Sequence, residues 1–217
     1  MSRLSLFFLL AVAGCPTPSP VEPADAEPPP LDDDCGIGFL GDPNKPVEFD
    51  FRVLRVDGTD VALNEMDDVA LIFPPQGGRV VFVGVRATNI DGCGVQLTGA
   101  VRDETTKQVR IDARTVNLIP SGDGWGTSAP PSQTISAARD TYSNVPLCPN
   151  QWASTHVFGR EFQLEVTLKD RAKRTRTKTI RVTPRCNEPD KIDECLCICK
   201  LGYILGEDCT KDGGGDT

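Results

Sequence analysis

Along the middle of the chain, hydrophobic and polar positions alternate with a period of two. Val47, Phe49, Phe51 and Val53 alternate with Glu48, Asp50 and Arg52, the pattern of a strand with one buried face. The phase slips at Leu54-Arg55-Val56, as at a bulge, and Asp57-Gly58 marks a turn. Residues 69–73 read as a short apolar strand stopped by Pro74-Pro75. Residues 79–89 (RVVFVGVRATN) are apolar on both faces at their centre, which places this strand deepest in the core. After a turn at Asp91-Gly92-Cys93-Gly94, Val95, Leu97, Gly99 and Val101 alternate with Gln96, Thr98 and Arg102. Val109, Ile111 and Ala113 continue the inward pattern against Arg110, Asp112 and Arg114.

Residues 119–160 carry scattered Gly and Pro and read as a long loop around Trp125, with a strand expected at 155–158. Phe162, Leu164, Val166 and Leu168 then alternate cleanly, and residues 179–183 return after a turn near Asp170-Arg171. No segment sustains a 3.6-residue period. About eight short strands at this spacing predict an all-β fold, an antiparallel β-sandwich. The hairpin at 161–183 resembles the final strand pair of immunoglobulin-like bacterial modules, which implies an immunoglobulin-like β-sandwich over 35–185. The chain departs from true immunoglobulin domains in lacking a tryptophan between two strand cysteines. Cys93 and Cys148 fall instead in turn-like segments.

The N-terminus has a different character. Arg3 precedes an apolar run at 4–13 (LSLFFLLAVA), too short for the roughly 20 residues that a spanning helix needs and suited to a signal peptide. Val12-Ala13-Gly14-Cys15 resembles the lipobox of bacterial lipoproteins. That resemblance implies cleavage after residue 14, acylation of Cys15 with diacylglycerol and fatty acid (palmitate), and a membrane-anchored place in the cell envelope. Ala11-x-Ala13 also fits ordinary secretory cleavage. Pro16 and Thr17 follow the cysteine, where many inner-membrane lipoproteins carry Asp, and by analogy this favours the outer membrane. Residues 15–34 hold seven prolines and six acids, a composition that favours extended polyproline II and reads as a tether.

Charge is unevenly spread. The net charge is −8 overall, yet the body at 35–185 has 19 bases and 17 acids. The acidity lies in the tether and in the tail at 186–217, and the body has no field on the scale of nucleic-acid binding. Nine cysteines are present. Setting Cys15 aside leaves Cys35, Cys93, Cys148, Cys186, Cys195, Cys197, Cys199 and Cys209, enough for four bridges of undetermined pairing in an exported chain. Cys197-Ile-Cys199-Lys-Leu-Gly202-Tyr203 followed by Cys209 resembles the latter half of an EGF-like module, which implies a Cys199–Cys209 bridge.

Catalytic constellations are sparse. His156 is the one histidine, and no G-x-S-x-G accompanies it, so it reads as a strand residue and the chain as a non-enzyme; the alternative is an envelope hydrolase that uses carboxylates alone, for which the sequence marks no pair. Cys195-x-Cys197-x-Cys199 is narrower than common zinc spacings, and Asp67-Asp68 lacks the pattern of a calcium loop. No metal or cofactor is expected. The densest charge is Lys169, Arg171, Lys173, Arg174, Arg176 and Lys178, on a hairpin tip expected to project beyond the core. It reads either as a site for an anionic envelope polymer or acidic protein, or as edge protection that answers Glu161 and Glu165 across the ladder.

Overall fold

A computed structural model describes residues 35–209. Cys15, the tether and the leader lie outside the described residues. The strands are β1 (Phe39–Leu40), β2 (Glu48–Leu54), β3 (Asp60–Ala62), β4 (Asp68–Ala70), β5 (Arg79–Thr88), β6 (Ile90–Asp91) and β7 (Val95–Arg102). They continue as β8 (Val109–Val116), β9 (Ile119–Pro120), β10 (Trp125–Thr127), β11 (Ser143–Cys148), β12 (Phe162–Lys169) and β13 (Thr175–Arg185). Two helices, α1 (Ile135–Ala138) and α2 (Ile192–Cys199), complete the set.

The alternation seen in sequence organises two main sheets. One runs β3-β2-β5-β10-β9, with β11 also paired to β5. The other runs β4-β13-β12-β7-β8. All pairings are antiparallel except β4 with β13, which is parallel. Phe49, Phe51, Val81, Val83 and Val85 from the first sheet share one apolar cluster with Leu97, Val101, Leu164, Val166 and Leu168 from the second. The all-β antiparallel expectation holds.

β5 has no exposed residue, and two separate cores account for it. Val81, Val83 and Val85 face the main cluster. Val80 and Phe82 face a second one, with Leu54, Ala70, Ile72, Ala129, Ala138 and Tyr142. Thus the segment around α1, expected to be plain loop, covers the outer face of the central strand. Tyr142 packs edge-on to Phe82 and donates its hydroxyl to Asp60 Oδ1 at 2.8 Å, while Arg52 Nε donates to Oδ2. Burial pushes the Asp60 carboxyl above its usual range against the pull of these donors, and burial beside Asp60 pushes the Tyr142 phenol up too.

Several expectations are corrected. Leu54-Arg55-Val56 is not a bulge: β2 ends at Leu54 and a tight turn to β3 follows, closed by Arg55 N–H to Thr59 O. The long loop contains β9, β10, α1 and β11. Residues 155–158 form turns instead of a strand.

The phase of β8 is inverted. Ile111 is 59% exposed, while Asp112 and Arg114 are half-buried. Inward space is taken by polar bonds to β11: Ser143 Oγ donates to Asp112 O at 2.8 Å, and Asn144 N–H to its carboxylate at 2.8 Å. Gly99 on the adjacent strand leaves room for this, since a Cβ there would lie 2.7 Å from Ser143 Oγ.

These placements separate two substitutions that look alike in sequence. Phe82→Ala is expected to cost about 3–5 kcal/mol in denaturant unfolding, and Ile111→Ser to fall within about 0.5 kcal/mol of the parent. A comparable loss for both would contradict the inverted phase of β8.

Candidate functional site

Two ends of the domain carry the chemistry singled out in the sequence. The first is the turn between β12 and β13. Asp170 is its pivot: the side chain is fully buried, its Oδ1 accepts the Arg174 N–H, and its Oδ2 accepts Arg174 Nε and Nη2. This brace holds Lys173 in the left-handed region, φ 66°, which non-glycine residues rarely adopt. Arg174 also lies over the Phe39 ring at 4.4 Å.

The hairpin does not stand clear of the core, as its polar faces had implied. Arg176 and Lys178 sit on the inward, half-buried face of β13 and reach the other sheet. Arg176 pairs with Glu48 at 3.1 Å and Lys178 at 3.2 Å, and Lys178 Nζ also donates to Phe49 O at 2.6 Å. Arg171 pairs with Asp91 at 2.9 Å. Four of the six cations therefore meet carboxylates, and those are Glu48, Asp91 and Asp170. Glu165 lies opposite Thr179, and Glu161 pairs with Arg181, at 3.9 Å. Lys169 and Lys173 are exposed and have no ion-pair partner among the described residues.

This basic turn lies near Cys35, the first described residue. Cys35 is bridged to Cys93, the Cys93 N–H bonds Asp91 Oδ1, and Asp91 in turn holds Arg171. Cys35 is thus fastened beside the hairpin.

The second end is the cysteine-rich tail. Its bridges are Cys148–Cys199, Cys186–Cys195 and Cys197–Cys209. All eight cysteines are paired, as their even number implied. The EGF-like pairing is corrected: Cys209 takes Cys197, because Cys199 is drawn inward to Cys148. The missed signal was helical. Cys195, Ile198 and Cys199 fall on one face of α2, Cys195 and Cys199 are buried, and Asp193 and Glu194 sit in the first turn, where the helix dipole favours acids.

Helix α2 is packed into the domain, not strung behind it. Asn150 N–H donates to Ile198 O at 2.9 Å and Val157 N–H to Cys199 O at 3.0 Å. His156 accepts the Leu201 N–H at its Nδ1, 3.0 Å, and stacks on Phe158. The lone histidine thus has a packing role. The tail also answers a charge invisible in the strand pattern. Arg79 is fully buried, yet it pairs with Glu188, lies 3.4 Å from Glu194 and donates to Lys191 O at 3.1 Å. Glu188 accepts the Phe73 N–H as well.

Cys195, Cys197 and Cys199, whose spacing raised metal ligation in the sequence, belong to three different disulfides. Cys186, Cys195 and Cys199 do lie with their sulfurs within 4.8 Å of one another. Of the acid pair, Asp67 accepts the Asn64 N–H and Asp68 pairs with Arg185.

The Arg79 arrangement predicts an asymmetry. Glu188→Ala removes the closer carboxylate from a buried cation, leaving Glu194 at 3.4 Å, and should cost about 2–4 kcal/mol, whereas Arg79→Met leaves partly hydrated carboxylates and should cost clearly less. Equilibrium unfolding of both variants checks this, and the reverse order would contradict it. In comparison with known proteins, no family model matches the chain and no curated protein matches it.

Proposed function

We propose that the chain is an exported lipoprotein, anchored through acylated Cys15, whose described domain serves a non-catalytic structural or binding role at the cell envelope. The observation that carries this reading is the distribution of cysteines. Four bridges account for every cysteine from Cys35 to Cys209, the state expected of an oxidising compartment. Cys15 alone is left, at the last place of Val12-Ala13-Gly14-Cys15. Each buried acyl CH₂ contributes about 0.8 kcal/mol, so two or three chains anchor stably. Among the described residues no helix is long and apolar enough to cross a membrane.

The domain is read as immunoglobulin-like. In support, β2, β5 and β11 lie side by side in one sheet and β7, β12 and β13 in the other, as the A, B and E strands and the C, F and G strands do in that fold. A module of this kind offers surfaces and loops for binding. The engagement of His156 in packing supports a non-catalytic role.

Cys15→Ser is the test. The variant should escape lipoprotein processing and appear as uncut precursor or as soluble product, while the parent partitions into detergent. Detergent partitioning unchanged by the substitution would refute the anchor.

A second reading, capture of an anionic polymer or acidic protein, rests on the two exposed cations Lys169 and Lys173 at the hairpin turn. Lys169→Glu with Lys173→Glu should abolish any salt-sensitive retention on an anionic polysaccharide such as heparin and leave the fold intact. Retention that survives both changes would end this reading.

A further inference from the structure

The two disulfides that fasten α2 lie against each other. Cys195 Sγ is 4.0 Å from Cys199 Sγ, and Cys186 completes a set of three sulfurs within 4.8 Å. The four sulfurs concerned differ in access. Cys148, Cys195 and Cys199 are buried, at 4%, 1% and 0% exposure. Cys186 is half-buried and lines a surface recess of about 410 Å³, with Phe158 and Leu196 on its apolar side and the Arg185–Asp68 ion pair among its polar groups. A thiolate arriving from solvent therefore meets Cys186, and the sulfur it would displace lies 4.0 Å from the second bridge.

We propose that Cys186 is a site of attack by an external thiolate, from a small-molecule thiol or a thiol–disulfide oxidoreductase, and that Cys195 relays the attack to Cys199 and frees Cys148. The incoming thiolate bonds to Cys186 Sγ, the Cys186–Cys195 bond breaks, and the electron pair leaves on Cys195. The Cys195 thiolate then attacks Cys199 Sγ. A Cys195–Cys199 bond forms, the Cys148–Cys199 bond breaks, and Cys148 leaves as a thiolate that takes a proton from water. One thiolate enters and one is released, with no net oxidation.

The relay has a structural consequence. Cys195 and Cys199 are four residues apart on α2, where Cβ atoms lie about 5–6 Å apart, and a disulfide needs roughly 3.5–4.5 Å. The last helical turn must tighten to accept the new bond. Cys199 is the final residue of α2, so only that end has to give. The exchange exchanges a bond between helix and sheet for a bond within the helix, and α2 loses its tie to β11. The inference is independent of the anchor at Cys15.

The experiment needs no reductant. In the full chain carrying Cys186→Ser, Cys195 is left as a thiol beside Cys199. After incubation at mildly alkaline pH, maleimide labelling and peptide mapping should find label divided between Cys195 and Cys148. Label on Cys195 alone would overturn the relay. Cys197→Ser serves as the comparison, with label among the domain cysteines, Cys35 to Cys209, expected on Cys209 alone; spread to other domain cysteines there would mean general scrambling and would also overturn it. The native chain gives a second readout that does not depend on the variant folding. Brief exposure to limiting glutathione should place the mixed disulfide on Cys186 together with a free Cys148 thiol, and a Cys186 adduct that leaves Cys148 bridged would contradict the proposal.

Discussion

Two covalent bonds to one short helix determine how the domain is closed. Cys148–Cys199 ties α2 to the end of β11 and Cys186–Cys195 ties it to the end of β13. By loop closure alone, the first, spanning 51 residues, removes about 4 kcal/mol of unfolded-state freedom, and the second, spanning 9, about 2.5 kcal/mol. An eight-residue helix has little stability of its own. Held in place by these bonds, it contributes two buried cysteines to the main core and, with the segment before it, brings Glu194 and Glu188 to a guanidinium with no access to water. The buried cation and the crosslinked tail depend on each other: without the tail, Arg79 would be an unpaired charge at the start of the central strand.

Period-two patterning revealed most of the strands, since burial of one face imposes it directly. β2, β7 and β12 were legible for that reason, and β5 was legible as the deepest strand because both of its faces are covered. The pattern failed where polar contacts replaced apolar ones. In β8 the inward positions are Asp112 and Arg114: Asp112 accepts from Ser143 and Asn144 on β11, a strand hidden in the sequence pattern, and Arg114 donates to Asp112. β11 itself was obscured because Pro146 and Asn144 weaken its strand character. Its burial comes from pairing to β5, a long-range contact that no local pattern reports.

The candidate sites were legible in part. The sequence marked the six cations of the hairpin and the eight pairing cysteines by type and position. It did not show that Arg176 and Lys178 cross to Glu48, or that a buried Asp170 organises the turn, because those partners lie far away in the chain or look like ordinary surface acids. The likeness of Cys197-Ile-Cys199 to an EGF-like module implied a bridge from Cys199 to Cys209. Helical geometry instead puts Cys195 and Cys199 on the buried face and turns Cys197 outward to Cys209.

The account of function joins these features through the parity of the cysteines. A domain that pairs eight leaves the ninth for other chemistry, and that cysteine stands at the end of a short apolar run, ahead of a proline-rich acidic stretch. The intact mass of the protein purified from its native cell tests this most directly. The account predicts a polypeptide beginning at Cys15, heavier by a diacylglyceryl group with or without a further acyl chain, and lighter by the eight hydrogens lost to four disulfides. A mass corresponding to the chain from Met1, with all nine thiols reduced and no acyl group, would contradict it.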